Sequence, residues 1–288
     1  MLSNWIAIAA ALAAALCIAV GAVLRQRVAA LVPDSDIGGV GVIGTLVRRP
    51  LWWLGTGVGV GGYVFQAVAL GKGSLLLVQP LLVLSLLFAL PLGARFAGRS
   101  VRTSDWVWAV LLTAAVAILV VVGDPRPGHP HAEGKHWLVI VGIGLPVVLA
   151  CLAVARVSTG SRRALLLGIA SGALFGVAAV LTKGVVAHAG DGLVSVLASP
   201  ETYALIVVGI SATVLQQNAY QAGALQASLP ATTVAEPVVA AALGFLVLGE
   251  YLDTDKELAT LLIVALVTMV AATIALAMGT ASAEVAVK

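Results

Sequence analysis

Gln66-Ala67-Val68-Ala69-Leu70, with Pro80 ten residues beyond Leu70, recurs as Gln221-Ala222-Gly223-Ala224-Leu225, with Pro237 twelve residues beyond Leu225. Both copies lie in apolar helical sequence. Self-similarity of this kind marks one structural unit used twice. In a membrane protein, a two-fold repeat of helices points to a carrier whose substrate site lies between the halves.

Composition sets the class. The 288 residues are 61% hydrophobic and 10% charged, with mean hydropathy +1.09. A soluble domain is about 25% charged, and no water-soluble fold of this length hides so much apolar surface. A spanning helix needs about 20 apolar residues to cross roughly 30 Å of hydrocarbon. Nine segments are drawn on that basis: Leu2 to Leu24, Leu51 to Leu70, Ser74 to Gly93, Trp106 to Val122, Trp137 to Ala155, Ala164 to Val186, Tyr203 to Ala222, Ser228 to Leu248 and Leu258 to Met278. Ile37 to Val47 is too short to span and reads as a loop or re-entrant piece. The first segment lacks a basic stretch before it and is followed directly by Arg25 and Arg27, so it reads as a spanning helix rather than a secretory signal. Cys17 and Cys151 fall inside apolar segments, where a thiol behaves as a small hydrophobe, and no disulfide is expected.

The net charge of +3 and pI near 9.1 do not point to nucleic acid, because the basic residues cluster beside segment ends. They orient the chain in the membrane. With the N-terminus outside, the inner loops hold Arg25, Arg27, Arg48, Arg49, Arg95, Arg99, Arg102, Arg156, Arg162, Arg163 and Lys288, against Lys72, Arg126, Lys135 and Lys256 outside. Eleven against four places the N-terminus outside and the C-terminus in the cytoplasm, with an odd number of spans. Gly21-Ala22-Val23-Leu24 in the first segment resembles Ala178-Ala179-Val180-Leu181 in the sixth. The expected fold is therefore an all-α integral membrane domain of nine helices. Helices one to four (residues 1–123) repeat as six to nine (164–288), and helix five lies in a connector (124–163). An offset of five spans inverts the second copy, and inverted repeats are the structural basis of alternating access.

Function is sought in polar side chains set in apolar sequence. Glu236 is the one carboxylate well inside a segment, where a charge costs about 2.5–3.5 kcal/mol on insertion scales. It is the candidate coupling group, titrating a proton or holding a cation, or else a structural acid beside the break at Pro237. Gln79 takes its place in the first copy. Pro80 and Pro237 each free a carbonyl in a spanning helix, as hinges at the substrate site or as packing kinks. Gln217 and Gln221 lie four apart with Asn218 beside them, while Tyr63 and Gln66 hold equivalent places in the second segment. Uncharged amides suit a polar or zwitterionic solute or a partly hydrated cation, and they also serve as interhelical glue. Thr233 either orients Glu236 or bonds back to its own helix. Lys183 is expected to snorkel to the outer interface, the alternative being a pair with Glu236. His129, His131 and His136, with Asp124 and Glu133, crowd one loop at spacings that match no closed metal site. Gly168, Gly172 and Gly176, Gly55 and Gly59, and Gly57 and Gly61 have the small-residue spacing of close helix packing.

Arg49-Pro50-Leu51-Trp52-Trp53-Leu54-Gly55, the Gln66 to Pro80 stretch, and Glu236-Pro237 leading to Leu243-Gly244-Phe245-Leu246-Val247-Leu248-Gly249-Glu250 resemble the drug/metabolite transporter (EamA-like) superfamily over nearly the whole chain. The Pro-Leu-Trp-Trp-Leu-Gly stretch, the long first loop and the nine spans are most similar to the NIPA-type magnesium transporters. The acid that closes the motif in the family is missing from the first half, where Gly93 runs on to Ala94-Arg95. The resemblance implies a secondary transporter in the plasma membrane, working as a monomer or homodimer among lipids, with a small molecule or ion as cargo. No cofactor and no nucleic-acid partner are expected. Transport of a small polar solute leads, followed by Mg²⁺ passage, a lipid-linked substrate flippase and a non-transporting scaffold. Enzymatic chemistry is not expected, because no acid, base or metal-ligand groups converge inside the segments.

Overall fold

A computed structural model describes residues 2–29, 48–96, 100–129, 138, 140–222 and 225–285. The order is α1 (Leu2–Ala29), α2 (Pro50–Lys72), α3 (Leu75–Val83), α4 (Ser85–Phe96), α5 (Thr103–Val121), β1 (Pro125–Arg126), a π-helical turn (Ile140–Gly144), α6 (Leu145–Arg156), α7 (Gly160–Ala189), α8 (Leu193–Ala198), α9 (Pro200–Gln221), α10 (Leu225–Leu246), β2 (Tyr251–Leu252), a 3-10 turn (Lys256–Leu258) and α11 (Ala259–Val285). The protein is an all-α multi-pass membrane protein. Among the described residues, seven segments are long and apolar enough to cross a membrane: α1, α2, α3 with α4, α5, α7, α10 and α11. The fifth expected segment appears as the π turn and the 12-residue α6, and the seventh as α9, which is 22 residues long but polar at both ends. Ile37 to Val47 lies outside the described residues.

The helices pack in a recurring pattern. In the first half α1 lies against α2, α3 and α4; in the second, α7 lies against α9 and α10. The halves meet where α3 touches α10, where α2 touches α7, and where α5 and α4 touch α11. One apolar core runs through both, from Ala7, Ala11 and Ala14 of α1 through Leu75, Val78 and Leu112 to Ala240, Ala265 and Leu276.

Small residues set the closest approaches. A Cβ at Gly21 would lie 2.7 Å from the Gly55 carbonyl oxygen, and one at Gly172 would lie 2.7 Å from the Thr232 carbonyl oxygen and 3.1 Å from the Glu236 nitrogen. Gly168 and Gly176 meet α10 in the same way, at Ser228 and Ala240. The α7 stripe and the Gly55/Gly59 pair therefore pack as expected. Gly57 and Gly61 do not: nothing lies within 4 Å of a Cβ placed there, and Gly62 meets Ile18 instead. The buried stripe of α2 is Gly55, Gly59, Gly62, Gln66 and Ala69, and Gly57 and Gly61 fall off that face.

The two glycine faces give opposite expectations. Gly172→Leu forces backbone apart, costs roughly 1–3 kcal/mol or more and lowers the thermal unfolding midpoint in detergent. Gly57→Leu stays within about 0.5 kcal/mol of the parent. Equal midpoints for the two variants contradict this packing.

Candidate functional site

The chain reverses sharply after α10. Gly249 has φ +65°, a left-handed conformation that glycine adopts without steric cost. The turn is tied down by Glu250 N–H donating to the Gly244 carbonyl at 2.9 Å and by His129 N–H donating to the Leu248 carbonyl at 2.7 Å. Beyond it, β2 pairs antiparallel with β1, and Arg126 bridges to Asp124 at 2.6 Å and to Asp253 at 3.1 Å. The reversal points Glu250 back into the bundle, where it is 1% exposed. Gly244 leaves room for it, since a Cβ there would lie 2.7 Å from Glu250 Oε2.

The Glu250 carboxylate meets three donors. Leu75 N–H donates to Oε1 at 2.9 Å and Leu76 N–H to Oε2 at 3.0 Å, while Lys183 Nζ on α7 lies 2.5 Å from Oε1. The first turn of a helix has N–H groups with no intrahelical acceptor and carries partial positive charge. Here Ser74 Oγ accepts from Leu77 N–H at 3.1 Å, and Glu250 takes the two donors before it. An acid from the second half thus caps a helix of the first.

This corrects the expectation for Lys183. It neither snorkels outward nor pairs with Glu236, but is 7% exposed and bound to Glu250. In the sequence Gly249-Glu250 closes a motif, and nothing there gives the acid a role. The signal was its position just past a glycine at a helix end, with an unpaired lysine elsewhere in apolar sequence.

Two of the expected site residues sit on helices that touch across the halves. Gln79 on α3 is 1% exposed, and its Nε2 is buried with no hydrogen-bond acceptor among the described residues. Glu236 on α10 is half-buried, and among the described residues no side chain bonds its carboxylate. Helix α3 ends at Val83, three residues after Pro80, and the chain restarts as α4 at Ser85. Helix α10 runs unbroken through Pro237, so the two prolines do not produce matching breaks. Thr233 does not orient Glu236; its hydroxyl donates to the Leu229 carbonyl at 2.8 Å.

The other amides are not gathered there. Gln66 is 8% exposed in the α2 stripe that faces α1, and Tyr63 on the same helix is 58% exposed. Gln217 and Asn218 are exposed on the last turns of α9, because that helix buries Ala212 and Ala219 instead. The side chain of Gln221 and residues His131, Glu133 and His136 lie outside the described set. Asp124 is engaged by Arg126, and no group of three metal-ligating side chains occurs among the described residues. A groove of about 400 Å³ between α4 and α5, lined by Leu87, Leu90, Trp106, Ala109 and Val110, is apolar and holds none of these polar groups.

Over 278 residues the chain is 42% identical to an uncharacterized protein of Corynebacterium glutamicum, with 96% of each chain covered. This chain belongs to that protein's family. No family profile matches it, and no solved structure matches it. Family membership names no activity here, so function is argued from the side chains.

Removing one member of the buried pair strands the other. Lys183→Met and Glu250→Gln should each destabilise the protein by about 3–5 kcal/mol, and the double variant by clearly less than their sum. Denaturant unfolding in detergent of the four proteins reads this directly. Additive losses would show that the two groups act independently.

Proposed function

We propose that this protein is a secondary transporter of the drug/metabolite kind, carrying a small polar solute by alternating access. Its halves are residues 1–123 and 164–288, joined by a connector that contains α6. Counting α6 and α9 as spans gives nine, with the N-terminus outside the plasma membrane. One observation carries the reading: α3, with Gln79-Pro80, and α10, with Glu236-Pro237, touch each other where the halves meet. A carrier's binding site lies between its two repeats, and here each half brings a polar side chain followed by a proline to the seam. The helix pairing supports it. The partners of α1 and of α7 correspond, and α5 meets its own counterpart α11, as a two-fold arrangement requires.

The chemistry of the two positions narrows the cargo. Gln79 Nε2 is a buried donor without an acceptor among the described residues, and such a group costs free energy until something accepts from it. Glu236 offers a carboxyl group with no side-chain partner among the described residues. Together they suit a solute with an acceptor oxygen and a cationic or N–H group, such as a small zwitterion. Glu236 is the coupling residue, exchanging a proton or cation with the solute. Mg²⁺ is less well served, because a hard divalent ion takes about six oxygen ligands and these positions supply one carboxylate and one amide oxygen. A lipid-linked cargo is favoured only by the apolar groove between α4 and α5.

Proteoliposomes loaded with a pH dye and challenged with amino acids, small amines or Mg²⁺ test the proposal. The expected result is proton movement driven by an organic solute, falling by at least about tenfold in Glu236→Gln. Folded, inserted protein that moves none of these solutes overturns it. Mg²⁺ uptake lost in Glu236→Gln would transfer the site to the ion.

A further inference from the structure

We propose that Glu250 is a releasable latch: it holds the α3 end of the pathway shut, and its absence from the matching place in the first half leaves the opposite end free to open at rest. This rests on the carrier reading above. The bond crosses the halves, since Glu250 follows α10 whereas Leu75 and Leu76 begin α3. Other cross-half contacts gather at the same end. Gly71 of α2 lies against Val186 of α7, and the connector's β1 pairs with β2 beside them.

Parting this end exposes specific groups. When α3 moves away, Leu75 and Leu76 N–H lose their acceptor and Lys183 remains with a carboxylate that has lost two of its three donors. Water entering the opened end can hydrate all of them, so the contact is strong when dry and replaceable when wet. Such a contact favours two discrete arrangements over a continuum. Glu250 also sits between helices rather than within one, just after the left-handed Gly249, so its departure unwinds no helical turn.

At the opposite end the sequence carries neither charge at the matching positions. In the repeat, Ala94 stands where Glu250 stands and Gln26 where Lys183 stands. Alanine has no acceptor for a helix N-terminus, and glutamine brings no cation. At these matching positions the ion pair exists only at the α3 end, a difference that favours closure there.

Disulfide trapping reads this without any cargo. A Cβ on Gly71 would lie 3.8 Å from Val186 Cβ, within the range of about 3.5–4.5 Å that disulfides use. In a Cys17→Ala/Cys151→Ala background, Gly71→Cys/Val186→Cys should crosslink rapidly in membranes under a mild oxidant. Adding Glu250→Gln should slow that reaction by about tenfold, as charge-assisted bonds to the closed state are lost. Lys183→Met, which leaves the helix cap in place, should slow it less. At the other end a Cβ on Gly279 would lie 3.4 Å from Asp105 Oδ1, so Asp105→Cys/Gly279→Cys should crosslink faster in Glu250→Gln, which general loosening does not produce. Unchanged rates at both ends overturn the latch, and if Glu250→Gln does not fold, an unchanged rate in Lys183→Met does the same. Flux with rates indifferent to Glu250 removes the latch and keeps the carrier. Rates that depend on Glu250 without any flux remove the carrier and keep the latch.

Discussion

A carboxylate that caps a helix across an internal boundary organises this structure. Glu250 accepts from Leu75 and Leu76 N–H and binds Lys183, so α3, α7 and the end of α10 are fixed relative to one another at one point. Its geometry depends on features that look minor in isolation. Gly249 supplies the reversal, Gly244 the space, and His129 and the two-residue ribbon hold the turn from the connector side. Hydrophobic packing cannot supply such a fixed point in a bilayer, because lipid tails are as apolar as the helix faces. Directional bonds and small-residue contacts have to do it.

Those contacts also set how closely the helices approach. The α7 stripe Gly168, Gly172 and Gly176 brings its backbone against the backbone of α10 and the Cβ atoms of Ala231, Ala235 and Val239. A smooth interface of that kind permits sliding, whereas interdigitated side chains resist it. Glu236 lies on this same contact, since its backbone nitrogen is what a Cβ on Gly172 would meet. The candidate coupling group therefore sits where motion between helices would be felt.

Much of the fold could be read from the sequence because a bilayer imposes one rule, that apolar segments of sufficient length become helices. The positions of seven spanning helices followed from it, and the small-residue spacing gave the Gly55/Gly59 and α7 packing faces. The side-chain partners did not. The partner of Lys183 is not legible, because apolar periodicity carries no information on where a distant loop returns, and Glu250 lies 67 residues away. Gln217 and Asn218 were grouped by helical spacing, which gives a shared face but not which face is buried. The π turn before α6 and the polar ends of α9 blurred two spans that composition alone counted as complete.

The most direct measurement is pulsed electron spin resonance on two cross-half label pairs, Val121 with Leu193 at the latch end and Ser104 with Arg162 at the other. All four positions are exposed. Two inverted halves rocking about a shared site should give distance distributions that shift in opposite directions when a transported solute or Glu250→Gln is introduced. Distances at both ends that stay fixed, or that widen together, would contradict alternating access in this protein.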